Sequence, residues 1–184
     1  MRMKNVDVSQ LRYVEATEAD IPALTAVMTR SFDDDSQRFR GEPEGGPNGY
    51  NNGGFFRQFM RPGNCYKIML GDTLIGAFIV FRDYPEEGSN VLGTIFLDPE
   101  YQNVGIGSQV MDYIHGTFLA KKWVLDTPEW HTRNHHFYEK LGYQKIGEQE
   151  EPHAGFTLRI YQKKMDGTTS TGGGRAFVLL SWVL

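Results

Sequence analysis

A chain of 184 residues has the length of one ordinary domain, with room for a real core and too little for two full domains. Its 19 Lys and Arg against 23 Asp and Glu leave a net charge of −4, which removes the basic field that a phosphate backbone requires and argues against nucleic-acid partners. No apolar run approaches the ~20 residues that span a bilayer. The polar start MRMKNVDVSQ lacks a signal-peptide core, and the single cysteine, Cys65, permits neither an intrachain disulfide nor a cysteine metal cage, so the expectation is a soluble protein of a reducing cytoplasm, away from membranes.

In chain order, residues 11–16 read as a short strand, and Thr17 with Asp20 as a capping box opening a helix with apolar positions Ile21, Leu24, Val27, Met28 and Phe32. Asp33-Asp34-Asp35 follows, either a solvated charge run or a lure for a cationic amine. GEPEGGPNGYNNGG, residues 41–54, has the composition of a long mobile loop or a lid. Phe55, Phe56, Phe59 and Met60 mark a second, short helix stopped at Pro62-Gly63. Runs 66–70 and 74–81 flank Gly71-Asp72 as a hairpin, and the second run is apolar throughout, like a strand covered on both faces. Another strand, 91–97, leads to the strongest helix, 105–120, with Ile106, Val110, Met111, Ile114, Phe118 and Leu119 on one stripe. A strand over 123–127, a helix over 132–141 stopped by Gly142, and a strand pair over 143–148 and 156–163 complete the order. The string β-α-α-β-β-β-α-β-α-β-β is an α/β arrangement, a mixed sheet with helices on both faces. Residues 1–165 form its single domain. Residues 166–184, a Gly/Ser/Thr linker with an apolar end, read as a non-native extension.

Between strand 91–97 and helix 105–120 runs Gln102-Asn103-Val104-Gly105-Ile106-Gly107-Ser108. At a helix N-terminus, unpaired N–H groups and the helix dipole favour an anion, and glycine lets it approach the backbone. No Gly-Lys-Ser/Thr follows for a Walker loop, and Val110 stands where a dinucleotide fingerprint needs its third glycine. Taken alone, the segment reads equally as a glycine-rich helix start.

With Ile95-Phe96-Leu97 ahead of it, Pro99-Glu100-Tyr101-Gln102-Asn103-Val104-Gly105-Ile106-Gly107 resembles the acetyl-CoA signature of the GCN5-related N-acetyltransferase (GNAT) family, an L-x-V-x-P strand end running into Q/R-x-x-G-x-G/A. Asn103 departs from the glycine more common there. Asn134 with Phe137-Tyr138-Glu139-Lys140-Leu141-Gly142-Tyr143 resembles the family's second block, N-x-x-x-F/Y-Y-x-K-x-G-F. The resemblance spans residues 11–163. It implies a largely antiparallel sheet whose central parallel strands, 91–97 and 123–127, splay apart, with acetyl-CoA as co-substrate and no metal. The backbone of Ile95, Phe96 and Leu97 would then pair with the pantetheine arm, and Gln102, Asn103, Val104, Gly105, Ile106, Gly107 and Ser108 would cradle the pyrophosphate. Asn134, Tyr138 and Lys140 would complete the cofactor site.

The resemblance also implies direct transfer of the acetyl group, in a ternary complex, to a primary amine of a small molecule or amino-acid derivative. A thioester needs no enzyme nucleophile, so Cys65 reads as a small buried hydrophobe. An amine of pKa about 10.4 costs roughly 4.6 kcal/mol to deprotonate at pH 7, yet the positions where the family often places a glutamate carry Gly93 and Thr94. Substitute bases are sought in segment 126–131, namely His131, or Glu129 through a water, each equally readable as an exposed loop residue. Tyr138 would give its proton to the departing thiolate. His131, His135 and His136 lack the carboxylate or cysteine companions of a metal site. An acyl-CoA-binding sensor or silent partner domain, and a protein N-terminal acetyltransferase, stand as alternatives, and a homodimer is left open.

Overall fold

A computed structural model describes residues 5–151 and 155–165; the extension expected over 166–184 lies outside the described residues. Strand β1 (Leu11–Glu15) leads into the expected capping box, in which the Thr17 N–H donates to Asp20 Oδ2 at 2.8 Å. One turn later helix α1 (Ile21–Arg40) begins. It runs well past the apolar stripe, through the acidic segment, because Asp35 and Ser36 are buried and Asp34 pairs with Arg38 at 2.7 Å. Gly41 ends it at φ +70°, a conformation glycine adopts without a Cβ clash.

Residues 41–53 are pinned to α1. The Tyr50 hydroxyl donates to Asp33 Oδ1 at 2.7 Å, the Gly45 N–H donates to the same oxygen at 3.2 Å, and the Ser36 hydroxyl reaches Glu44 O. Asp33, Asp34 and Asp35 thus each have a structural partner, and the run is no open charge patch.

Helix α2 (Gly54–Phe59) precedes β2 (Asn64–Leu70), β3 (Thr73–Phe81) and β4 (Ser89–Leu97); then come α3 (Ile106–Thr117), β5 (Lys122–Pro128), α4 (Thr132–Lys140), β6 (Gln144–Glu151) and β7 (Phe156–Lys164). The sheet order is β1-β2-β3-β4-β5-β7-β6, with β4 and β5 parallel and every other neighbouring pair antiparallel. One face packs under α1 and α2 through Leu24, Met28, Phe32, Phe56, Ile79 and Phe96. The other packs under α3 and α4 through Ile95, Leu97, Val110, Trp123 and Tyr138. Burial on both faces explains why β4 is enclosed along its whole length.

The parallel pair is short. Ser89–Val91 pairs with Lys122–Val124, and beyond that point β4 stays with β3 while β5 stays with β7, so the two strands part. A bulge sits where they separate: Val80 faces Leu92, Ile79 faces Thr94, and Gly93 is the extra residue. A Cβ on Gly93 would collide with the Phe81 ring. The bulge also resets the strand's alternation, so Leu92 and Ile95 both enter the α3/α4 core while Phe96 enters the α1/α2 core. Among the described residues no helix is long and apolar enough to cross a membrane.

Candidate functional site

The glycine loop lies where the parted strands meet α3. Asn103 and Gly105 take left-handed backbone, φ +60° and +84°, which turns the chain into the helix; Val104 and Ile106 anchor the turn in the α3/α4 core. Leu97, Gln102, Asn103, Gly105, Gly107 and Ser108 line a cleft of about 180 Å³, closed on its far side by residues of α4 that include Asn134 and Phe137. A Cβ on Gly105 would meet nothing within 4 Å, so the space over that backbone is open. An open backbone surface at the start of a twelve-residue helix fits an anionic phosphate group.

Several expected cofactor residues take up other work. Gln102 donates through Nε2 to Leu97 O at 2.9 Å and accepts from Arg133 Nη2 at 3.0 Å, so its side chain ties the loop to β4 and α4. Ile95 and Leu97 bury their side chains in the α3/α4 core and Phe96 in the α1/α2 core; only their backbone is available to a ligand. Asn134 is buried and lines the cleft, its Nδ2 at 3.4 Å from Thr127 Oγ1. Lys140 is exposed in the last turn of α4 and does not line the cleft.

Tyr138 is fully buried between Phe137, Tyr143 and Tyr161, and its hydroxyl finds no hydrogen-bond partner among the described residues. Burial, helped by the charge of Asp126, raises its pKa well above the ordinary phenol value.

The two bases expected from sequence are placed differently from each other. Glu129 is exposed, its backbone N–H tied to Thr157 O. His131 is no exposed loop residue: it is fully buried at the N-cap of α4, accepting the Asn134 N–H on Nδ1 at 3.3 Å and donating from Nε2 to Asp35 Oδ2 at 2.7 Å. Both ring nitrogens are engaged, which leaves no lone pair for a substrate proton. Asp35 also accepts from Arg133 Nη2 at 3.0 Å. A buried carboxylate thus clamps the end of α1 to the start of α4 and, through Arg133 and Gln102, to the glycine loop. Sequence reasoning missed Asp35 and Arg133. The available signal was the continuation of the α1 stripe, Leu24, Met28, Ser31, Asp35, at helical spacing.

His135 is held by Pro128 O at 2.9 Å and is made less basic by burial. Cys65 is buried and its thiol is pushed up to about 12, so it is inert as a nucleophile. No cluster of three or more His, Cys, Asp or Glu among the described residues is placed to hold a metal ion.

Residues 61–145 match the family model described as the acetyltransferase (GNAT) domain. The fold matches an acetyltransferase from Thermus thermophilus at TM-score 0.68 and 16% identity, over 85% of this chain and 97% of that one. A GNAT family acetyltransferase from Elizabethkingia anophelis with acetyl-CoA bound matches at 0.62 and 13% identity, over 85% and 99%. Spermidine N-acetyltransferase from Vibrio cholerae, in complex with CoA and spermine, matches at 0.61 and 15% identity, over 85% and 96%. No curated protein sequence matches the chain. The resemblance seen in the two sequence blocks is therefore borne out in the domain match and in the fold.

Proposed function

We propose that this chain, which has the GNAT fold and matches the GNAT domain model over residues 61–145, moves an acetyl group from acetyl-CoA to a primary amine of a small molecule or amino-acid derivative, by direct transfer in a ternary complex. The observation that carries the reading is the coincidence of three features along β4 and the loop that follows it: strands that part after Val91 and Val124, a bulge at Gly93, and an open-backed helix start at Gly105. Similar folds that hold acetyl-CoA, or CoA with spermine, support it.

Acetyl-CoA supplies an activated acyl group as a thioester, so the protein has to bind, align and move protons. Past Val91 the edge of β4 that faces β5 carries no strand partner, and an extended pantetheine arm can add there as a strand does. The loop 102–108 presents backbone donors to the pyrophosphate. A backbone N–H of β4 beside the bulge would steady the oxyanion. Tyr138 protonates the departing thiolate, and His131 positions α4 through Asp35 instead of serving as the base.

Calorimetric titration with acetyl-CoA, followed by initial rates across an amine panel, tests the reading. Binding is expected, with a gain of about 2.7 kcal/mol in stability at one hundred times the dissociation constant, together with amine-dependent release of CoA. Absence of binding overturns the assignment. Binding without turnover of any amine would identify an acyl-CoA-binding domain instead.

A further inference from the structure

Resting on that reading, we propose that Asp126 receives the acceptor's ammonium group and takes its proton, and that Thr94, facing it across the gap between β4 and β5, holds the same nitrogen through Oγ1. Counted from the last parallel pair, Val91 with Val124, β5 reaches Asp126 in two residues. Strand β4 reaches Thr94 at the same height, because the steps Phe81, Val80, Ile79 on β3 correspond to Val91, Leu92, Thr94 on β4. The two residues thus sit level on strands that have just separated.

They also share a face. Thr94 pairs with Ile79, and Asp126 pairs with Ile160, two residues along β7 from Leu158; Ile79, Leu158 and Val124 all belong to the core under α1 and α2. The cofactor loop and Tyr138 belong to the opposite face. An acceptor amine in the gap between the parted strands would have Asp126 and Thr94 on one face of the sheet and Tyr138 on the other.

Burial makes these groups unusual. Asp126 is 4% exposed and Thr94 is fully enclosed, its hydroxyl without a hydrogen-bond partner among the described residues. A threonine oxygen left unsatisfied can accept an N–H, and a carboxylate level with it across the gap attracts the same ammonium group. The charge of Asp126 is felt at Tyr138 on the other side of the sheet. Glutamate is absent from Gly93 and Thr94; the carboxylate stands instead on the neighbouring strand. The acceptor class is therefore a cationic primary amine.

The protons balance. Asp126 takes one proton from the ammonium and later releases it to solvent. The freed lone pair attacks the thioester carbonyl carbon, the C–N bond forms, and the C–S bond breaks as the carbonyl re-forms. The thiolate takes the Tyr138 proton, and the surplus proton on the amide nitrogen restores the phenol.

The test compares Asp126→Asn, Asp126→Glu and Thr94→Val with wild type on spermidine, tyramine and lysine methyl ester, measuring kcat and KM for the amine, acetyl-CoA affinity and melting temperature. Asp126→Asn is expected to lower kcat/KM for the amine by about 100-fold or more with acetyl-CoA affinity within about threefold, and Asp126→Glu to recover part of the loss. Thr94→Val keeps the shape and removes an unsatisfied hydroxyl, so its melting temperature should be unchanged or higher while the amine KM rises several-fold. A rate for Asp126→Asn within about threefold of wild type overturns the inference, as does a loss of acetyl-CoA affinity that matches the loss of rate. Should Asp126→Asn fail to fold, an unchanged amine KM in Thr94→Val overturns it. Wild-type protein that binds acetyl-CoA and acetylates none of the three amines overturns the functional reading itself, whatever the variants do.

Discussion

At the scale of single residues, the chemistry assigned to this cleft depends on groups whose polar atoms are buried. Tyr138 shows the consequence most directly. Its hydroxyl is enclosed and unpartnered among the described residues, and burial makes it a weaker acid than free phenol. It keeps its proton at rest, and in the proposed reaction it would donate only as negative charge develops on sulfur. Tyr138→Phe keeps the ring contacts with Phe137, Tyr143 and Tyr161 and deletes an atom that hydrogen-bonds to no described residue. The melting temperature should therefore stay level or rise, while kcat falls by about 100-fold and acetyl-CoA affinity is unchanged. Steady-state kinetics and a thermal melt decide it; a rate within about twofold of wild type removes Tyr138 from the reaction. His131 shows the reverse case. Sequence marks it as a base because imidazole titrates near neutrality, but hydrogen bonds to Asp35 and the Asn134 N–H consume both nitrogens.

At the scale of elements, the start of α3 and the bulge in β4 are the two devices that make a cleft out of a sheet. The first has a direct test. Gly107 lines the cleft in the opening turn of α3, and a valine there would project into the space over the helix N-terminus. The helix itself would not suffer, since valine is no worse than glycine in a helix interior, by about 0.3 kcal/mol in its favour. Gly107→Val should thus fold normally by circular dichroism and lose about tenfold or more in acetyl-CoA affinity by calorimetry. Unchanged affinity would mean that the glycines serve only the turn. The bulge acts differently: by adding Gly93 it rotates Thr94 and Phe96 to the α1 face while Ile95 and Leu97 keep the α3 face closed. On the reading proposed above, one strand would then serve an acceptor on one side and a cofactor on the other.

At the scale of the whole molecule, the two cores on either side of the sheet hold buried ionisable groups that set how the fold responds to acid. His115 lies against Trp123 and bonds through Nε2 to the Tyr143 hydroxyl at 2.8 Å; burial, with Lys163 nearby, lowers its pKa to about 4 from an ordinary 6.5. Between those values the unfolded chain binds the proton and the folded chain does not, so stability is full above pH 6.5 and declines as pH falls toward 4. The loss approaches about 3 kcal/mol for this group. Chemical denaturation at a series of pH values should show that decline, and His115→Gln, which has no charge to gain, should flatten it. An equal decline in the variant would place the acid sensitivity elsewhere. Read from sequence alone, the molecule already declared its element order, the Thr17–Asp20 capping box, the hairpin at Gly71-Asp72 and the glycine loop ahead of α3. Those signals are local: strand alternation, helical spacing and contiguous motifs involve residues a few positions apart, and their physics is complete within one segment. The extension of α1 through Asp33-Asp34-Asp35 was misread because hydropathy assigns carboxylates to solvent, whereas a carboxylate with buried partners can belong to the interior. The Asp35–His131 clamp joins residues 96 positions apart, and the level placing of Thr94 and Asp126 exists only because β4 and β5 become neighbours and then diverge. Such pairings follow from sheet order, register and a one-residue bulge. Tertiary structure alone decides them, because burial and proximity, and with them a side chain's chemical role, are properties of the assembled chain.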